Sequence, residues 1–181
     1  MSHTAVPTKQ YYGKYRATVL NNVDPMQIGR IQVIVPDVSA VLPTSWAMPC
    51  LPISGINNGV FAVPAIGAGV WVEFEQGNPD HPIWVGGYWG LAAETPALSH
   101  AVPPGVPGMT MQTMTLNAIV INDTPGVGGV TVFCRGIPML TISDAGITIM
   151  NGKGAMISLV GPAVSVVGTP VDINFGGLTV T

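Results

Sequence analysis

The sequence predicts an all-β chain in two halves, a small closed barrel followed by a repetitive, strand-rich tail. Three observations lead there. Apolar residues alternate with polar ones over short runs; no ten-residue window shows a capped amphipathic helical repeat; and Gly or Pro corners recur every seven to nine residues through most of the second half. All four Trp and all four Tyr precede residue 90, and only Phe133 and Phe175 supply aromatic rings after it. The chain changes character there.

In the first half, the β-branched and aromatic runs Tyr15 to Leu20 and Ile31 to Val35 read as strands, with the turn chemistry of Asn21 to Gly29 between them. A third strand fits Trp46 to Pro49. A fourth fits Gly69 to Glu75, where Val70, Val72 and Phe74 alternate with Trp71, Glu73 and Glu75, and a fifth fits Pro82 to Gly87. Five short strands with bulky aromatics suit a closed OB-type barrel, because closure removes the edges so small a sheet would expose. The expected organisation is an N-terminal arm at 1–10, the barrel at 11–90, an extended linker at 91–108 and the tail at 109–181. The linker rests on Pro96, Pro103, Pro104 and Pro107 with Gly105 and Gly108, a density that neither a helix nor a central strand accepts.

In the tail, apolar runs begin at residues 116, 130, 139, 147, 156, 164, 171 and 178. Each is a short alternating strand whose polar positions are Thr, Ser, Asn or Ala rather than charges, which argues against an ordinary sandwich with a charged outer face. A single chain of about 70 residues winding as a solenoid encloses too thin a core. Three chains around a common axis solve this, each supplying a strand to every layer, so the expectation is an intertwined trimeric β-helix, a triangular prism. At about 4.8 Å per strand, its shaft would be roughly 40 Å long. An isolated copy of this half should be unstable.

Composition excludes several functions. The 181 residues carry 6 basic and 9 acidic side chains, a formal net charge of -3, and charged residues make up 8% of the chain against about 25% in ordinary domains. Residues 1–90 hold four basic and five acidic residues, so no cationic groove for a nucleic acid is expected. Every apolar stretch breaks well before the roughly 18 residues of a membrane-spanning helix. Met1 to Gln10 lacks the pattern of a secretory signal, so synthesis in the cytoplasm is expected. Cys50 and Cys134 are expected to be two buried free thiols.

The candidates for chemistry are few. Asp24 and Arg30 flank a loop and read as structural residues that cap the turn or face water. Glu73 and Glu75, at i and i+2 of one strand, read as a solvated outer face rather than an acid/base pair. His81 reads as a turn residue, and His3, His81 and His100 are isolated in sequence, so no metal set is expected. Neither a GxSxG elbow nor a phosphate-binding GxxxxGK[ST] loop occurs. No catalytic residue and no cofactor are expected.

The runs GKYRATVLNNVDPMQIGRIQVIVPD (13–37), SWAMPCLPISG (45–55) and GVFAVPAIGAGVWVEFEQGNPDHPIWVGGYW (59–89) closely resemble the OB domain of the central spike proteins of contractile injection systems. Those include phage baseplate assembly protein V and the VgrG-type spikes of type VI secretion. The matching residues are Asp24, Pro25, Gly29 and Arg30 in the turn, Trp46 and Pro49 after it, then Gly69, Trp71, Glu73 and Phe74, and finally Pro82, Trp84 and Gly86. The Gly-punctuated tail looks like the trimeric β-helix that follows this domain in the family.

The resemblance implies a homotrimer at the tip of a tail tube, docked on a hub trimer and driven mechanically through the target cell envelope when a sheath contracts. Residues 91–108 leave no room for the lysozyme domain some phage spikes insert, and the chain lacks the His-x-His pair that binds a tip metal in others. The C-terminal residues Leu178, Thr179, Val180 and Thr181 are therefore expected to meet a separate tip protein of the PAAR type. Two other readings fit the sequence less well: an OB-fold nucleic-acid-binding protein, disfavoured by the missing cationic groove, and a trimeric β-helical adhesin fibre, which would normally carry a receptor or catalytic head.

Overall fold

The computed structural model describes residues 9–173 and 178–180, and they form two compact units divided between Glu94 and Thr95. In the first, five strands form one sheet in the order β2-β1-β6-β7-β3: β1 (Tyr15–Asn21), β2 (Gln32–Ile34), β3 (Met48–Pro49), β6 (Gly69–Phe74) and β7 (Pro82–Tyr88). All pairs are antiparallel except β3 with β7. Bridges from Ile31 to Ala47 and from Ile34 to Pro43 join the β2 and β3 ends of the sheet. A four-residue helix, α1 (Pro36–Ser39), follows β2, and a two-stranded hairpin of β4 (Ser54–Gly55) and β5 (Asn58–Gly59) precedes β6.

The alternation seen in sequence is what fills this barrel. Ala17 and Val19 from β1, Ile31, Val33 and Val35 around β2, and Val70, Val72 and Phe74 from β6 are buried together with Ala47 and Trp84. Their odd-numbered or even-numbered spacing puts each set on one face of its strand. Arg16, Trp71 and Glu73, their neighbours in sequence, point the other way.

The second unit is built by one device repeated. Seven strands, β8 (Gly108–Gln112), β9 (Ala118–Asn122), β10 (Gly129–Cys134), β11 (Ile137–Ser143), β12 (Gly146–Met150), β13 (Met156–Val160) and β14 (Ala163–Val167), pair antiparallel in sequence order. A separate pair follows, β15 (Val171–Ile173) with β16 (Leu178–Val180). Tight turns set this order. Arg135 and Gly136, both at positive φ (52° and 78°), make the two-residue loop between β10 and β11, and Gly161, at φ 54°, followed by Pro162 makes the one between β13 and β14.

Within one copy, the strands' backbone partners are their neighbours in sequence, and the sheet ends at β8 and β14. One expectation changes: residues 91–108 are not extended throughout. They hold 3-10 turns at Ala92–Glu94 and Ala97–Ala101, and the strand β8 begins at Gly108, where Val102 packs so closely that an added Cβ would lie 2.9 Å from its side chain.

Because Ile31 is fully buried in the barrel, Ile31→Ala should lower its unfolding free energy by about 2–5 kcal/mol. Chemical denaturation followed by tryptophan fluorescence measures this, since Trp84 lies in the same core.

Candidate assembly surface

The register of the meander decides which side chains share a face. Met109 and Met111 stand opposite Ile121 and Ile119, which face Val130 and Val132. These continue across Ile142 and Leu140, Ile147 and Ile149, Leu159 and Ile157, and Val164 and Val166. Two residues per strand on seven strands make fourteen, and every one is Ile, Leu, Val or Met. The central column of the opposite face reads Thr110, Val120, Thr131, Thr141, Thr148, Ser158 and Ser165, hydroxyls in all but one position.

The accessibilities invert the usual order. Eleven of the fourteen apolar side chains are between 36% and 67% exposed, while all the hydroxyl column except Ser165 is half-buried or buried. The turn at Ala97–Ala101 helps to cover that second face: Ala118 and Val120 are buried there, and the Leu98 amide donates to Gln112 Oε1 at 2.9 Å. Among the described residues, nothing covers the first face. Full burial of such a residue is worth about 1.5–3 kcal/mol, so on the order of 10 kcal/mol per chain is unrealised until another surface closes over it. Contiguous exposed apolar surface of this extent marks an interface.

The barrel presents the residues singled out from sequence in a different role. Asp24 is the buried centre of the 24–30 turn. Its Oδ1 accepts from Arg30 Nε at 3.0 Å, Arg30 Nη2 at 2.7 Å and the Met26 amide at 3.0 Å, while Oδ2 accepts from the Ile28 and Arg30 amides at 3.0 and 3.2 Å. The bond from the Arg30 guanidinium, helped by these amides and opposed by burial, holds the Asp24 carboxyl well below the usual carboxylate range. Asp24 therefore organises the turn, as a structural role requires, yet it does not face water. Arg30 also lies over the Trp46 ring, 5.4 Å from its centroid.

Several of the family-matching positions gather around this turn. Trp84 donates its indole N–H to the Gly29 carbonyl at 3.0 Å, which ties β7 to the turn, and Pro49 packs beside Gly29. Phe74 and Pro82 stand opposite each other on the core side of β6 and β7. Gly69 faces Tyr88, whose ring leaves no space for a Cβ, and Gly86 pairs with Trp71. Pro25 is exposed. Trp71 stacks with Tyr88 and Arg16 on the outer face, and Glu73 there forms an ion pair with Lys14.

Three readings need correction. Glu75 does not share a strand face with Glu73, because β6 ends at Phe74 and Glu75 opens a 3-10 turn in which Gln76 takes φ 51°. Cys50 and Cys134 are both exposed, one just beyond the short edge strand β3 and the other at the end of β10 beside a turn. His81 behaves as a turn residue, its amide donating to Asn78 and its carbonyl accepting from Glu75. Among the described residues, no three or more His, Cys, Asp or Glu gather as a metal site. His3 and Thr181 lie outside the described residues, as do the side chains of Leu178, Thr179 and Val180.

Family models match both units. Residues 15–89 match the injector OB domain of type VI secretion systems and phage baseplates, and residues 108–179 match the C-terminal trimerisation domain of phage baseplate V. No curated protein matches the chain.

Two outcomes test these assignments. Ile149→Asp, on the apolar face, should convert the trimer into single chains or aggregates by light scattering, because a charge would be buried without a partner, whereas Thr148→Asp on the opposite face should leave the mass unchanged. Asp24→Asn replaces an accepting oxygen with a donor and should lower the barrel's melting temperature by several degrees at neutral pH. Since the folded carboxyl titrates below its unfolded value, this gap should persist down to about pH 4 and close only in stronger acid.

Proposed function

We propose a mechanical role for this chain, which belongs to the phage baseplate V family of injector spike proteins. It is a structural baseplate component that assembles as a homotrimer through its second unit. Beyond that shared ground, our reading is that three copies form the central spike at the tip of the tail tube. Sheath contraction would then drive this spike through a target envelope.

The observation that carries the reading is the two-sided sheet of residues 108–167. Its fourteen apolar side chains suit the interior of a three-sided needle, and its hydroxyl column suits an outside that carries almost no charge. A needle entering a bilayer has to leave water, and each charge it exposed would resist that transfer by several kcal/mol, whereas Thr and Ser cost far less. The antiparallel ladder leaves few backbone groups unpaired along its length, so axial load is spread over many hydrogen bonds. No chemical step is invoked; the work comes from the contracting sheath.

In this reading the barrel docks on a hub trimer, and Leu178 to Thr181 meet a tip protein of the PAAR type. The family match supports a baseplate position. No helix among the described residues is long and apolar enough to cross a membrane, so puncture would be the act of the assembled trimer.

The test uses particles. Tail-like particles purified from the producing cell should carry this protein at the tip of the inner tube by electron microscopy with a specific antibody. Cells producing only the Ile149→Asp variant, which should not trimerise, should yield no particles that release dye from target-lipid vesicles. Recovery of the wild-type protein only as a free species away from particles would refute the spike assignment, as would unimpaired dye release by the variant.

A further inference from the structure

The meander sorts its charges by sign. Between Gly108 and Val167 the only charged residues are Asp123, Arg135, Asp144 and Lys153. They lie in four consecutive turns: Asp123 between β9 and β10, Arg135 between β10 and β11, Asp144 between β11 and β12, and Lys153 between β12 and β13. Successive turns of an antiparallel meander fall on opposite lateral edges of the sheet. An acid-base-acid-base order along the chain therefore becomes one edge with both acids and another with both bases.

All four are exposed, while the ion pairs Lys14 with Glu73 and Arg30 with Asp24 lie in the barrel. Arg135 also occupies a position that favours other residues. At φ 52° in a two-residue turn, Asn, Asp or Gly is the easier choice, so a basic side chain is placed there against local preference.

A closed ring of three identical subunits is necessarily heterologous: the surface a copy offers to one neighbour differs from the one it offers to the other. When three sheets turn their apolar faces to a common axis, the surfaces that meet are the two rows of turns. We infer that the basic row of one copy lies against the acidic row of the next, forming three equivalent charged seams with a second copy of this chain as the occupant. The spacing fits. Arg135 and Lys153 are separated by two strands, as are Asp123 and Asp144, about 10 Å in each case. Each basic turn lies one strand, about 5 Å, further along the ladder than an acidic turn, so pairing Arg135 with Asp123 and Lys153 with Asp144 across the seam meets all four charges, while closure of the ring allows no axial slip between copies.

This inference rests on the homotrimer described above, and light scattering of the wild-type protein tests that premise separately, before any variant is made. The variants of the full chain are R135E/K153E, D123K/D144K, and the fourfold swap D123K/R135E/D144K/K153E. Each double reversal turns six attractive pairs per trimer into repulsive ones and should lower the dissociation temperature by about 5 °C or more at low salt. In about 1 M salt that loss should shrink. The fourfold swap restores opposite charges across every seam and should recover most of the wild-type value. Double reversals that melt as the wild type does would overturn the seam, and so would a fourfold swap as unstable as the doubles or unable to trimerise.

Discussion

The constraint on which the second unit depends is an area problem. A sheet one chain thick has two faces, and among the described residues a short turn lies over one end of one of them. The residues from Ala97 to Val102 cover β8 and β9 on the hydroxyl side, and the apolar side is left to other copies. Backbone pairing within the sheet joins sequence neighbours and leaves β8 and β14 as its edges; burial of the apolar face is not local. Folding and assembly are thus divided between two interactions of different range.

The barrel solves the same problem differently. Its sheet ends come together through Ile31, Ala47, Ile34 and Pro43, so its apolar face becomes an interior without help. The cost of closure falls on the connecting turns. The longest of those around the first hairpin is held by a buried carboxylate with five donors, an arrangement in which every donor would lose its acceptor together if Asp24 were removed. That one residue converts a loop of exposed apolar side chains, Val23, Met26 and Ile28, into a fixed platform.

Much of this was legible in the sequence. All five barrel strands follow from alternation and turn residues, and each of the eight apolar runs of the tail overlaps an observed strand. The strand at Gly108–Gln112 was hidden because Pro103, Pro104 and Pro107 made its surroundings read as linker, although Met109 and Met111 alternate correctly. Period-2 patterning tells which side chains share a face but not which strand lies beside which, so the order of the meander is read only from the structure. Glu75 was misplaced for a related reason: alternation says nothing of where a strand stops, and the left-handed Gln76 that ends it carries no strong turn signature. The sorting of Asp123, Arg135, Asp144 and Lys153 onto two edges emerges only when the connectivity is known.

Division of labour between local pairing and distant burial has a kinetic side. Every ladder pairing in the meander joins strands adjacent in sequence, a topology of low contact order that zips rapidly. What it zips into is a sheet with a sticky side, and the step that hides it needs three molecules to meet. Yield is then governed by how many nascent copies share the same volume at once. A polysome translating one message, by keeping sister chains close, favours correct assembly over the aggregation to which lone intermediates are prone.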